Sequence, residues 1–148
     1  MSPTARRLSL FIAILAVLGI VVSSVSLDHH YRTSKTSYCD FDQSFNCDLV
    51  NRSEYSTLAG IPVALIGILG YVTLLAFATL YREKVETPAI LMLASLCGLG
   101  FALYLTYVEK YVLYAWCILC LSSLAVISAI TVVSILLLAH RMRRPRTA

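Results

Sequence analysis

Residues 111–139 read YVLYAWCILCLSSLAVISAITVVSILLLA, 29 residues without a charge. About 20 such residues span a hydrocarbon core roughly 30 Å thick. The run is continuously apolar rather than alternating, which makes it a helix and not a barrel strand. Near its start it carries Cys117 and Cys120, a Cys-x-x-Cys pair for which a membrane helix has little structural use.

Three further uncharged runs lie upstream: 20 residues over Leu8–Leu27, 27 over Tyr55–Tyr81 and 22 over Thr87–Val108. With 59% hydrophobic and 14% charged residues among 148, the chain is too apolar for an ordinary soluble domain. The expected fold is an all-α membrane protein, a four-transmembrane-helix bundle forming one domain over 1–148. Its spans are expected at about 8–27, 61–81, 88–108 and 114–139, with an outer loop at 28–60. Within that loop, "CDLVNRSEYSTLAGIP" spaces its apolar residues three to four apart, which predicts a short interfacial helix. Pro62 and Pro88 suit the first turns of the second and third helices. A cleaved signal peptide would remove the first span, but its apolar run exceeds a signal core of about 7–15 residues.

Basic residues orient the bundle. With both termini cytoplasmic, eight of the twelve Lys and Arg residues fall inside, among them Arg6, Arg7, Arg82, Arg141 and Arg143. The net charge of +4 then describes the inner face and its lipid, and no nucleic-acid partner is expected. The cysteine loop lies on the outer side of an inner, plasma or endoplasmic reticulum membrane.

That compartment is oxidising, so Cys39 and Cys47 in the outer loop can form and exchange disulfides. Counting about 20 residues back from Ala139 puts Cys120 at the outer edge of the lipid and Cys117 one turn nearer water. At spacing i, i+3 both thiols are expected on one helical face, with Cys117 the exposed, exchange-competent sulfur at the helix N-terminus. Two plain structural disulfides are disfavoured because Cys-x-x-Cys on a regular helix is strained. Zinc is disfavoured because seven residues separate the other pair and one ligand pair would sit in lipid; no metal is expected. Cys97, mid-helix and without a partner in sequence, is expected to be a packing residue. His29 and His30 are expected as a solvated interfacial pair. Asn51 in "NRS" is only a weak glycosylation pattern. Gly60, Gly67, Gly70, Gly98 and Gly100 are expected to permit close helix packing. Tyr104, Tyr107, Tyr111, Tyr114 and Trp116 are expected as an aromatic belt.

Taken in order, the pieces resemble the vitamin K epoxide reductase family over roughly residues 8–139: "CD" at Cys39, seven residues to Cys47, "CDLVNRSEYSTLAGIP", and "LYLTYVEKYVLYAWCILC" entering the last helix. Another family of bacterial quinone-linked disulfide-forming proteins has four helices and two cysteine pairs, but there the Cys-x-x-Cys pair precedes the loop pair. The resemblance implies an electron relay. Cys39 would exchange with a separate thioredoxin-like partner, Cys47 would connect it to Cys117, and Cys120 would deliver electrons to a quinone of the ubiquinone, menaquinone or vitamin K type. Ser53, six residues after Cys47, would hydrogen-bond a quinone oxygen. The vertebrate branch carries a tyrosine where this chain has Leu124, and an asparagine where rough alignment places Val63. Those departures favour a plain quinone over epoxide reduction, and support of disulfide formation over vitamin K turnover. The rival of a different class is a non-enzymatic four-helix protein with a disulfide-stapled loop.

Overall fold

The computed structural model describes residues 2–31 and 45–143. Five α-helices follow in order: α1 Pro3–Tyr31, α2 Cys47–Asn51, α3 Val63–Thr79, α4 Thr87–Val108 and α5 Ile118–Met142. Between α2 and α3 lie a 3-10 turn, Glu54–Ser56, and two short antiparallel strands, β1 Thr57–Leu58 and β2 Ile61–Pro62. The all-α membrane class holds. Among the described residues, three helical segments, Pro3–Tyr31, Thr87–Leu113 and Ile118–Met142, are long and apolar enough to cross a membrane, and α3 is apolar but shorter. At roughly 1.5 Å per residue α3 covers about 25 Å.

Helix α1 packs on α3 and α5, and α4 packs on α5, whereas α3 and α4 touch only lightly. Ile12, Ala16, Tyr71, Leu74, Leu91, Ile127 and Ile130 form the buried centre. Glycine permits the closest approach at Gly19, where an added Cβ would lie 2.4 Å from the Tyr71 ring. The outer surface is apolar too: Leu10 is 61% and Phe11 60% exposed, and Leu69, Leu93 and Leu136 also face outward. Water does not tolerate so continuous an apolar surface, and lipid does. Tyr104, Tyr107, Tyr111 and Tyr114 are exposed as a belt would be.

The polar ends separate. At one end Ser2 Oγ meets His140 Nε2 at 3.1 Å, and the Arg141 guanidinium donates to the Arg82 carbonyl at 2.8 Å. The start of α1, the end of α5 and the turn between α3 and α4 therefore share an end, and α2 and the Cys-x-x-Cys pair occupy the other.

Several boundaries differ from the sequence expectation. Helix α1 continues past residue 27 to Tyr31, because its backbone bonds are satisfied internally and the histidines of its last turn suit the negative helix end. His29 is thereby buried beside Asp48, 3.6 Å away, rather than solvated. The last helix starts at Ile118 and not near 114. Helix α4 first runs on through a π-helical turn, Glu109–Leu113, and Tyr114 then reverses the chain in the left-handed region at φ 51°. Gly60 lies outside the helices: with Ala59 it makes the two-residue hairpin turn, at φ 82° and 52°, as the right-handed twist of paired strands requires. Gly67 does permit contact, with Ser23 Oγ 3.0 Å from an added Cβ, and Gly98 abuts Ile127. Gly70 and Gly100 meet nothing within 4 Å and are not packing contacts.

Candidate redox site

The segment before α2 docks on the segment before α5. Phe45 bridges Trp116, and the Asn46 N–H donates to the Trp116 carbonyl at 3.2 Å. Asn46 also caps α2 by accepting from the Leu49 N–H at 2.8 Å. The result is a small buried cluster of Cys47, Val50, Ala115 and Cys117, with Cys120 packed against it. Cys47 is disulfide-bonded, whereas Cys97, Cys117 and Cys120 are free thiols. Cys39 lies outside the described residues.

The Cys-x-x-Cys pair is not two residues on one regular helical face. Cys117 is the N-cap of α5, in extended conformation, and Cys120 is the third helical residue. Cys117 is also fully buried rather than exposed, because α2 covers it. Its thiol lies below its ordinary pKa, first through the hydrogen bond with the Cys120 thiol. Backbone N–H groups of Cys120 and Leu119 act the same way, while burial and the Glu109 charge oppose them. Charge on a sulfur at a helix start is favoured by the unpaired N–H groups there.

Asn51 joins three helices. Its side-chain N–H donates toward Cys117 Sγ at 3.9 Å, and its Oδ1 accepts from Ser26 Oγ of α1 at 2.8 Å. Its backbone carbonyl meets His30 Nδ1. Asn51→Ala leaves the Ser26 hydroxyl buried without this acceptor. The expected cost is about 1–3 kcal/mol, read as a lowered unfolding midpoint in detergent, with faster alkylation of Cys117 as α2 loosens.

Below this cluster a cavity of about 430 Å³ opens where α3 and α4 are most thinly packed. Cys120, Ser53, His30, Asn51 and Cys97 all line it, among mostly apolar neighbours. Its size and apolar wall suit an organic ring compound. Ser53 is half-buried, and its hydroxyl donates to the Val50 carbonyl at 2.8 Å. Cys97 is an exposed thiol on the cavity wall, not a packing residue. Leu124 does not line the cavity, whereas its neighbour Ser123 does, held by the Tyr71 hydroxyl at 2.8 Å.

Fold and site together define a class: a helical membrane protein whose dithiol sits between a docked loop segment and an apolar cavity. The family model described as the vitamin K epoxide reductase family matches residues 10–135, and the chain belongs to that family. It is accordingly an oxidoreductase, of a membrane family that uses quinones in thiol–disulfide or vitamin K epoxide chemistry.

Sequence reasoning missed three residues of the site. Asn51 was visible only as a weak sequon. His30 was assigned to solvent. Glu109 falls just outside the expected spans at 88–108 and 114–139, although an acid eight residues before Cys117 at the end of an apolar helix is the kind of intramembrane charge that marks a site.

Proposed function

We propose that the protein is a membrane thiol–disulfide oxidoreductase. It passes electrons from a reduced thioredoxin-like partner through Cys39 and Cys47 to Cys117 and Cys120, and from there to a membrane quinone. In this reading the whole chain is one four-span domain, α3 being the fourth span. Both termini are cytoplasmic and the cysteine loop faces the outer compartment, where the activity supports disulfide formation in exported proteins.

One observation carries the reading: Cys120 lines the apolar cavity while hydrogen-bonding Cys117, which shares a buried cluster with Cys47. Exchange advances one sulfur at a time through mixed disulfides. Cys117, with its lowered pKa and its place in the cluster with Cys47, is the sulfur suited to exchange with the loop. Cys120 is the sulfur suited to the cavity. The two thiols together lose two protons and two electrons as their S–S bond forms, and the quinone takes up both as it becomes the hydroquinone. Ser53 supports this role by lining the same cavity, and rotation of its hydroxyl away from Val50 would let it donate to a quinone oxygen.

The test is the purified protein with a reduced thioredoxin-like donor and a panel of ubiquinone, menaquinone and vitamin K, with and without the vitamin K epoxide. Loss of quinone absorbance that depends on both donor and protein is the expected result. A stapled, non-enzymatic bundle bleaches none of them, and turnover of the epoxide alone would reassign the substrate.

A further inference from the structure

Glu109 is a buried carboxyl group whose one structural bond, to the Cys117 N–H, a neutral acceptor would make as well. It is 1% exposed, just past the end of α4, and among the described residues it makes no ion pair with a Lys or Arg. Its Oε2 accepts from the Cys117 backbone N–H at 3.1 Å, and the carboxyl is near enough to the Cys120 thiol for each to act on the other's ionisation. Its other oxygen, Oε1, is buried with no hydrogen-bond partner among the described residues. Glu109 also lines the cavity that Cys120 lines. A buried, half-satisfied acceptor costs stability, and such groups persist where they have chemical work. The chain makes a π-helical turn at this point, and its first residue is Glu109, whose carbonyl accepts the Ala115 N–H at 3.2 Å. Such turns inside helices are frequent at functional sites. Here the turn brings residue 109 back against the start of α5.

We infer that Glu109 is the proton carrier of the Cys117–Cys120 dithiol, taking the Cys120 proton at the cavity wall that both residues line and releasing it from Oε1 into the cavity. The inference rests on the proposed quinone chemistry. The step balances as follows. Glu109, as carboxylate, receives the Cys120 proton. The sulfur electron pair so exposed goes to the quinone as Cys117 closes the S–S bond and gives up its own proton. The quinone, having gained two electrons, takes both protons, one of them by way of Glu109, and leaves as hydroquinone. Glu109 ends as it began, a carboxylate. Of the two basic groups on the cavity wall, Glu109 and His30, Glu109 is the one joined to the Cys-x-x-Cys pair, through the Cys117 N–H, whereas His30 Nδ1 is engaged by the Asn51 carbonyl.

Glu109→Gln separates this role from a structural one, because the amide oxygen still accepts the Cys117 N–H. With a short-chain ubiquinone as acceptor, the expected result is a fall in kcat of about 100-fold, the scale of general acid–base catalysis, with KM for the quinone little changed. The wild-type solvent isotope effect on dithiol oxidation should also change. Glu109→Gln turning over at the wild-type kcat overturns the inference and leaves the quinone reading standing. Wild-type protein that fails to oxidise its dithiol with any quinone overturns the reading beneath it. Should Glu109→Gln not fold, Glu109→Asp decides: recovery of quinone turnover with the shorter carboxylate supports the carrier, and turnover abolished in a folded Asp variant overturns it.

Discussion

Cys120→Ser is expected to reduce donor-dependent quinone reduction to background, a loss of at least about 10³-fold, on the scale seen when a reacting nucleophile is removed. The variant does more than lose activity. Cys117 remains and shares its buried cluster with the disulfide-bonded Cys47. Without the Cys120 thiol to resolve it, a bridge between Cys47 and Cys117 should accumulate. Alkylation of free thiols followed by mass measurement of the peptides detects that bridge directly. Cys117→Ser should be equally inactive yet form no such bridge. A stapled loop predicts the Cys47 disulfide unchanged in both variants. The reaction that builds the bridge has a definite pH dependence. Only the thiolate attacks, so the rate rises with pH until Cys117 is ionised and is level above that. Because the Cys117 pKa lies below its ordinary value, the plateau should be reached at lower pH than for an unperturbed thiol. Cys120→Ser also removes the thiol that contributes most to that lowering, so the plateau in this variant should move back up. Comparison with Cys120→Ala, which lacks any hydroxyl to replace the hydrogen bond, measures how much of the shift the serine retains.

Gly19→Ala has the largest effect expected on stability from a single methyl group. The added Cβ would stand 2.4 to 2.6 Å from three atoms of the Tyr71 ring. The ring cannot simply swing aside, since its hydroxyl bonds both the Ser123 carbonyl, at 3.0 Å, and the Ser123 hydroxyl. Relief therefore requires separating α1 from α3 or breaking the link from α3 to α5. Overpacking of this kind costs about 1–3 kcal/mol, and each neutral hydrogen bond lost adds about 1 kcal/mol. The unfolding midpoint in detergent should fall by the sum. Gly70→Ala is the matched control, because a Cβ there meets nothing within 4 Å. Equal midpoints for the two variants would show that the contact between Gly19 and Tyr71 carries no strain. The same clamp positions Ser123 on the cavity wall, so Gly19→Ala is also expected to weaken quinone affinity without touching the cysteines.

Much of the architecture was legible in one dimension. The length of each apolar run stands in direct relation to the thickness of lipid, so the start of α4 and the end of α5 agree with expectation to within a few residues. Pro88, at the start of α4, marked its boundary for the reason proline usually does. The start of α5 was harder. The apolar run of residues 111–139 gives no sign that its first residues leave the helix, because Tyr114, Ala115 and Trp116 are as apolar there as inside it. What stops the helix is tertiary: the strand-like contact of Trp116 with Phe45 and the left-handed turn at Tyr114. The burial of Cys117 has the same origin, since only the docking of α2 covers it.

By itself the sequence determined the class: an apolar helical membrane protein with a dithiol at the start of its last helix and a second cysteine pair between its first two apolar runs. Those properties depend on run length, charge and spacing, which are local. The tertiary structure alone decided that Cys117 is an N-cap beneath α2, that Asn51 ties three helices together beside it, and that Glu109 turns back to accept the Cys117 backbone N–H. Buried polar groups find partners by geometry across helices, and a linear order of residues does not encode which of them meet.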